Sequence, residues 1–116
     1  MEFTSQTENP HFPEVADLDP QEVHSKLAEL TIIDVRRPEE YAGPLGHIPS
    51  AQLLTLDQLP TKIDNINTDK PIVFVCHSGA RSAQATSFAL ENSFKAVYNL
   101  RGGMVLWNQL GLMVEK

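Results

Sequence analysis

The chain has 116 residues, 41% of them hydrophobic and 21% charged, the makeup of one soluble globular domain long enough to bury a core. Its formal charge of −6 argues against a general nucleic-acid binder, which needs a basic field to displace counterions along a phosphate backbone. No apolar run approaches the roughly 20 residues that span a bilayer, and the one cysteine excludes an intramolecular disulfide or a multi-cysteine metal site.

Residues 1–13 carry Pro10 and Pro13 among polar residues without periodicity, and read as a flexible arm ahead of a domain over 14–116. The start has neither the basic nor the apolar segment of a signal peptide. "EVADLD" suits a short edge strand. "DPQEVHSKLAEL" follows with Asp19 as cap, Pro20 at the first helical position, and Val23, Leu27 and Leu30 on one face of a helix. "TIIDV" is a β-branched run typical of a strand buried on both faces. "RPEEYAG" predicts a helical turn begun by Pro38, with two acids at its start.

"GPLGHIPSA" is a loop punctuated by glycine and proline, "AQLLTL" a further strand, and "LDQLPTKIDNI" a weak helix that Pro60 either interrupts or restarts. "IVFV" is the strongest strand in the chain. "SAQATSFALEN" predicts a helix with Ala85, Phe88 and Ala89 inward, "AVYNL" a strand, "RGG" a tight connection, and "MVLWNQLG" a last helix stopped at Gly111. Apolar strands alternating with helices predict an α/β fold with a parallel sheet covered on both sides. Ligands then bind beyond the carboxyl ends of the strands. The loops after "IIDV", "IVFV" and "VYNL" emerge at that edge with Arg36, Arg37, Arg81 and Arg101, which predicts one anion-attracting mouth with Cys76 at its floor.

The stretch "CHSGARS" turns from a strand into a helix whose first amides have no intrahelical partners. Gly79 eases a sharp turn, and Ser78, Ala80 and Ser82 are small. Such a run can curl its N–H groups around one point and stabilise a thiolate there. A packed core cysteine, the bland alternative, requires neither the glycine nor the arginine.

Four motifs, "IDVRRPEEY", "GHIPSA", "CHSGARS" and "LRGGMVLW", stand in the order found in the rhodanese-like sulfurtransferases, and the chain resembles that family over nearly its whole ordered length. The resemblance implies a central five-stranded parallel sheet flanked by helices. It implies a cysteine that takes sulfane sulfur from a donor such as thiosulfate, becomes a persulfide, and passes the sulfur to cyanide or a thiol. Carried over by position, Cys76 is the nucleophile, the amides of His77, Ser78, Gly79, Ala80, Arg81 and Ser82 hold the thiolate or persulfide, and the Arg81 side chain attracts an anionic donor. Ser50 departs from the family pattern, which has glycine there, and "AGPLG" lengthens the spacer before His47.

Arg36 is a candidate for steering donor anions, with pairing to Glu39 or Glu40 as the alternative. Asp34, at the end of a buried strand, is expected to accept hydrogen bonds from nearby loops and to support the site. His47 reads as a structural loop residue, Tyr41 as packing, Trp107 as core and His77 as pointing outward. His11 and His24 do not have metal-ligand spacing; no metal and no cofactor are expected. The expected partners are a small-molecule sulfur donor, a thiol or cyanide acceptor and a sulfur-accepting protein, with neither nucleic acid nor membrane. The lone cysteine favours a reducing, cytoplasmic compartment.

Two other classes compete. A cysteine phosphatase or arsenate reductase also sets a thiolate in an amide cradle with arginine, but with five residues between them; "HSGA" is four, a cup sized for one sulfur atom. A non-catalytic protein-binding module on the same fold would usually lack the cysteine.

Overall fold

Among the described residues six strands, β1 (Thr7–Glu8), β2 (Ala16–Leu18), β3 (Thr31–Asp34), β4 (Gln52–Leu53), β5 (Ile72–Val75) and β6 (Val97–Leu100), form one sheet in the order β1-β2-β6-β5-β3-β4. The structure is a computed structural model and describes residues 2–116. Among the described residues four α-helices connect the strands, α1 (Pro20–Ser25), α2 (Pro38–Tyr41), α3 (Leu59–Lys62) and α4 (Ala80–Glu91), and a fifth, α5 (Gly103–Gln109), follows β6. Strands β2 to β6 all pair in parallel, as the alternation of apolar strands with helices requires. The expected five-stranded sheet gains a sixth member, because β1 adds antiparallel to β2.

The core divides along the alternation of β5. Val73 and Val75 pack with Val23, Met104 and Trp107 on the face of α1 and α5. Ile72 and Phe74 pack with Leu59, Ala85 and Ala89 on the face of α3 and α4. Cys76 continues this period of two and emerges on the α4 side. The alternation thus places the thiol under the start of α4.

Several elements are shorter than the sequence suggests. The helix expected over 19–30 stops at Ser25 and resumes as a 3-10 turn over Leu27–Glu29. Pro60 lies in the first turn of α3, where its missing N–H costs nothing, and a second 3-10 turn follows. The strand expected over "AQLLTL" is ladder-bonded only at Gln52 and Leu53, which pair with the end of β3 at the sheet edge. Among the described residues no helix is long and apolar enough to cross a membrane.

The segment expected as a flexible arm makes specific bonds to the domain. The Glu22 carboxylate accepts the backbone N–H groups of Thr4 and Ser5 at 2.8 and 2.9 Å, both hydroxyls, and the Lys26 ammonium. Phe3 meets Tyr98 edge-on at 4.9 Å between ring centres. Burial acts to raise the Glu22 carboxyl, but the bonds from Ser5, Thr4 and Lys26 outweigh it and hold the group well below the usual carboxylate range. The anchor lies 17 and 18 residues further along the chain from Ser5 and Thr4, so local composition did not show it.

Replacing Glu22 with alanine should free residues 3–8. The expected loss is about 1–3 kcal/mol in urea unfolding, with faster amide exchange at Thr4 and Ser5. Unchanged exchange there would mean that β1 and Phe3 hold the segment without Glu22.

Candidate active site

Cys76 directly follows β5, and its residue surface is 1% exposed. The chain turns above it through His77, Ser78 and Gly79 and enters α4 at Ala80. Two donors meet the sulfur: the Gly79 N–H at 3.1 Å and the Ser82 hydroxyl at 3.2 Å. The hydroxyl comes from the first turn of α4, where Ser82 is fully buried. Of the amides expected over His77–Ser82, that of Gly79 meets the thiol, and Ser82 adds its hydroxyl. Aliphatic neighbours lie on the sheet side of this sulfur and the two hydrogen-bond donors on its loop side.

Two further elements fix the loop. Gly79 has φ +108°, in the region that favours glycine. Its carbonyl accepts from the Asn99 amide at 3.3 Å, and Asn99 is held in turn by the buried Asp17 at 2.9 Å. From the other side, the first turn of α5 donates Met104 N–H to the Cys76 carbonyl at 2.9 Å and Val105 N–H to the His77 carbonyl at 3.0 Å. The approach requires a bare Gly103, since a Cβ there would lie 2.5 Å from both carbonyl oxygens at φ +58°. The "RGG" connection is thus the clamp of the cysteine loop. Asn99 and Gly103 were not singled out as site residues, because their partners are distant in the chain.

Arg36 does not face the mouth. It is 1% exposed and grips the fully buried Asp34 through Nε at 2.9 and 3.1 Å and through Nη2 at 2.7 Å. Its remaining donors reach the carbonyls of Gly46 and Glu40. The expected anion-steering role is corrected: a guanidinium beside a buried carboxylate closes a pair that neither could leave without a large desolvation cost. Asp34 supports the site by way of Arg36 and makes no bond to the cysteine loop among the described residues.

The Arg81 guanidinium is bonded in parallel by both oxygens of Glu40, at 2.7 and 2.9 Å. Oε1 of Glu40 also accepts the Arg37 N–H at 3.1 Å at the start of α2. The hydrogen bonds from Arg81 are the main reason that Glu40 falls to about 2 from its ordinary 4.5; burial opposes them and the Arg37 N–H adds to them. Arg101 likewise meets Asp19 at 2.7 Å, so Asp19 caps α1 without a side-chain cap bond. Of the arginines expected at an anion-attracting mouth, Arg36 is turned inward to Asp34, and Arg81 and Arg101 are already paired with carboxylates.

The remaining candidates fall as follows. His77, Ser78 and Ala80 are exposed on the rim of the loop. His47 stacks on Tyr41 at 3.8 Å and bonds the Tyr41 carbonyl, a structural place in its loop. Trp107 is fully buried in the core. Ser50 has φ +73°, the left-handed region where the family pattern has glycine. Two clefts flank the cysteine loop: one of about 750 Å³ at Arg81 and Gln84, and one of about 600 Å³ at Ser78–Ala80.

Residues 19–110 match the family model of the rhodanese-like domain. The chain belongs to this family. A sulfurtransferase of Allochromatium vinosum is 34% identical over 103 residues, 86% of this chain and 94% of that protein. The rhodanese-like domain protein of Staphylococcus aureus is 33% identical with a TM-score of 0.71, covering 86% of this chain and 98% of that one. A protein of unknown function from Rhodopseudomonas palustris, described as a "Possible Tyrosine Phosphatase", is 26% identical with a TM-score of 0.78, covering 87% and 85%.

Two outcomes follow from this geometry. Gly103→Ala should cost at least about 2 kcal/mol in denaturant unfolding, through strain at positive φ and the contact with the Cys76 and His77 carbonyls; a neutral result would mean that α5 can withdraw freely. For Glu40 the folded carboxyl lies below its ordinary value. Its contribution is therefore complete above 4.5 and is lost as the pH falls toward about 2. The unfolding midpoints of the wild type and Glu40→Gln should differ at neutral pH and converge only across that acid interval.

Proposed function

We propose that the protein is a sulfurtransferase that carries sulfane sulfur as a persulfide on Cys76. The observation that carries this reading is the sulfur itself, set beneath the start of α4 with the Gly79 N–H and Ser82 hydroxyl directed at it. The thiolate attacks the outer sulfur of a donor. The new S–S bond forms as the old one breaks, and the leaving group, sulfite from thiosulfate or a thiolate from a persulfide, departs with the electron pair. The amides of Ala80, Arg81 and Ser82, which as the first turn of α4 have no intrahelical acceptors, supply donors for the second sulfur. Cyanide or a thiolate then takes that sulfur and restores Cys76. Transfer of sulfur by a thiolate nucleophile needs no separate general base.

Cys76 is the chain's one cysteine, so the persulfide discharges to an outside acceptor and no internal disulfide ends the cycle. The sulfurtransferase from Allochromatium vinosum supports the same reading. A reducing, cytoplasmic setting suits a persulfide carrier, and His77 and Ser78 on the rim are the side chains placed to meet donor or acceptor.

The phosphatase reading draws on the Rhodopseudomonas palustris relative. Against it stand the four residues between Cys76 and Arg81 and the Arg81 guanidinium, whose two terminal nitrogens are taken by Glu40. A phosphatase holds a phosphoryl group with those donors.

Intact mass after incubation with a sulfane donor tests the proposal. One added sulfur is expected, removed by cyanide with formation of thiocyanate and absent from Cys76→Ser. Failure to load sulfur from any donor, with hydrolysis of an aryl phosphate, would turn the assignment toward the phosphatase.

A further inference from the structure

We infer that Glu40 is a specificity-determining residue that withholds the Arg81 guanidinium from anionic donors, so that the site selects monoanionic persulfides over the dianion thiosulfate. The inference rests on the persulfide reading of Cys76 and concerns which donor loads it.

Charge around the loop carries the case. Each of the arginines nearest the cysteine motif is engaged: Arg36 by Asp34, Arg81 by Glu40 and Arg101 by Asp19. Arg37, the remaining arginine of the four that the sequence sets at this edge, has no ion-pair partner among the described residues. It lines the cleft on the Arg81 flank together with Glu39 and Asp57. The lining of that cleft thus carries two guanidinium groups, Arg37 and Arg81, against two carboxylates, Glu39 and Asp57, and Arg81 is further paired with Glu40. On the other flank the Arg101–Asp19 pair stands beside the buried carboxylate of Asp17. Neither approach offers net positive charge.

Thiosulfate brings two negative charges to a thiolate. The transition state for sulfur transfer then gathers three charges of one sign, and sulfite leaves as a dianion. A protonated or monoanionic persulfide, R–S–SH or R–S–S⁻, brings none or one, and its leaving group is a single thiolate. A site built for the dianion would present an open guanidinium, since bidentate Arg donors match such oxygens. Here those donors are closed by a carboxylate that is itself positioned. The Glu40 carbonyl is held by Arg36 Nη1 at 3.2 Å, and its Oε1 by the Arg37 N–H. Glu40 is therefore fixed from both ends, and opposes release of Arg81.

The experiment measures the second-order rate of Cys76 persulfidation with two probes, thiosulfate and cysteine persulfide, in the wild type, Glu40→Gln and the double variant Glu40→Gln/Arg81→Gln. The wild type should prefer cysteine persulfide by at least about tenfold, the scale of one uncompensated charge near a protein surface. Glu40→Gln should raise the thiosulfate rate by about tenfold and change the cysteine persulfide rate by less than about threefold, which also reports an intact cup. The double variant removes the pair as a unit and should return thiosulfate to within about threefold of the wild type, so that the gain is assigned to Arg81. The inference is overturned by a wild type that uses both donors equally. It is also overturned by Glu40→Gln leaving the donor ratio unchanged, or by a double variant that loses thiosulfate use outright. Should Glu40→Gln not fold, the double variant and the wild-type ratio still decide. No persulfide from either probe would instead defeat the function proposed above.

Discussion

The arrangement at Cys76 depends on two backbone carbonyls that have been turned away from the sulfur. Those of Cys76 and His77 receive the first N–H groups of α5, and only a glycine at position 103 permits that contact. With the carbonyls engaged there, the loop presents its opposite edge to the thiol. The Gly79 N–H and the Ser82 hydroxyl reach it from that side. Were the same peptides reversed, carbonyl oxygens would face the sulfur and repel its ionised form. The helix after β6 thus sets the polarity of a loop that follows β5, which is possible because β5 and β6 are adjacent and parallel in the sheet.

A second layer of the structure consists of charge pairs that cross between loops. Asp34 and Arg36 are both buried, and their mutual bonds extend through Arg36 to the carbonyls of Gly46 and Glu40. Glu40 continues the chain to Arg81. The loop after β3, the start of α2 and the start of α4 are therefore connected by one polar sequence, Asp34–Arg36–Glu40–Arg81. Burial makes the Asp34–Arg36 link costly to break from one side, whereas the partly exposed Glu40–Arg81 link is the softer one. Rigidity of the frame and adjustable charge at the mouth are separated within the same set of residues.

The amino-terminal segment has a comparable logic. Thr4, Ser5 and Asn9 are held by carboxylates already present in the domain, those of Glu22 and Asp17, and Asp17, which holds Asn9, also holds the Asn99 that supports Gly79. The segment is thereby joined to the cysteine loop through two buried amides. Coverage of the sheet edge by β1 protects β2 from unpaired exposure.

Much of the fold was legible locally. The runs "TIID", "IVFV" and "VYNL" became strands because β-branched and apolar residues buried on both faces have few other stable conformations in a small domain. Prolines 20, 38 and 60 opened helices, and the "CHSGARS" loop was marked by its small residues and its arginine. What remained hidden were relations between distant side chains. Nothing near Arg36 in sequence says that it turns back to Asp34, and "PEEY" does not disclose that Glu40 waits for an arginine 41 residues later. Chain-local patterns set backbone conformation and the alternation of burial, since those energies act within a few residues. The charge of the mouth was decided by the tertiary structure alone, because an ion pair exists only once the sheet has brought its partners within hydrogen-bond reach.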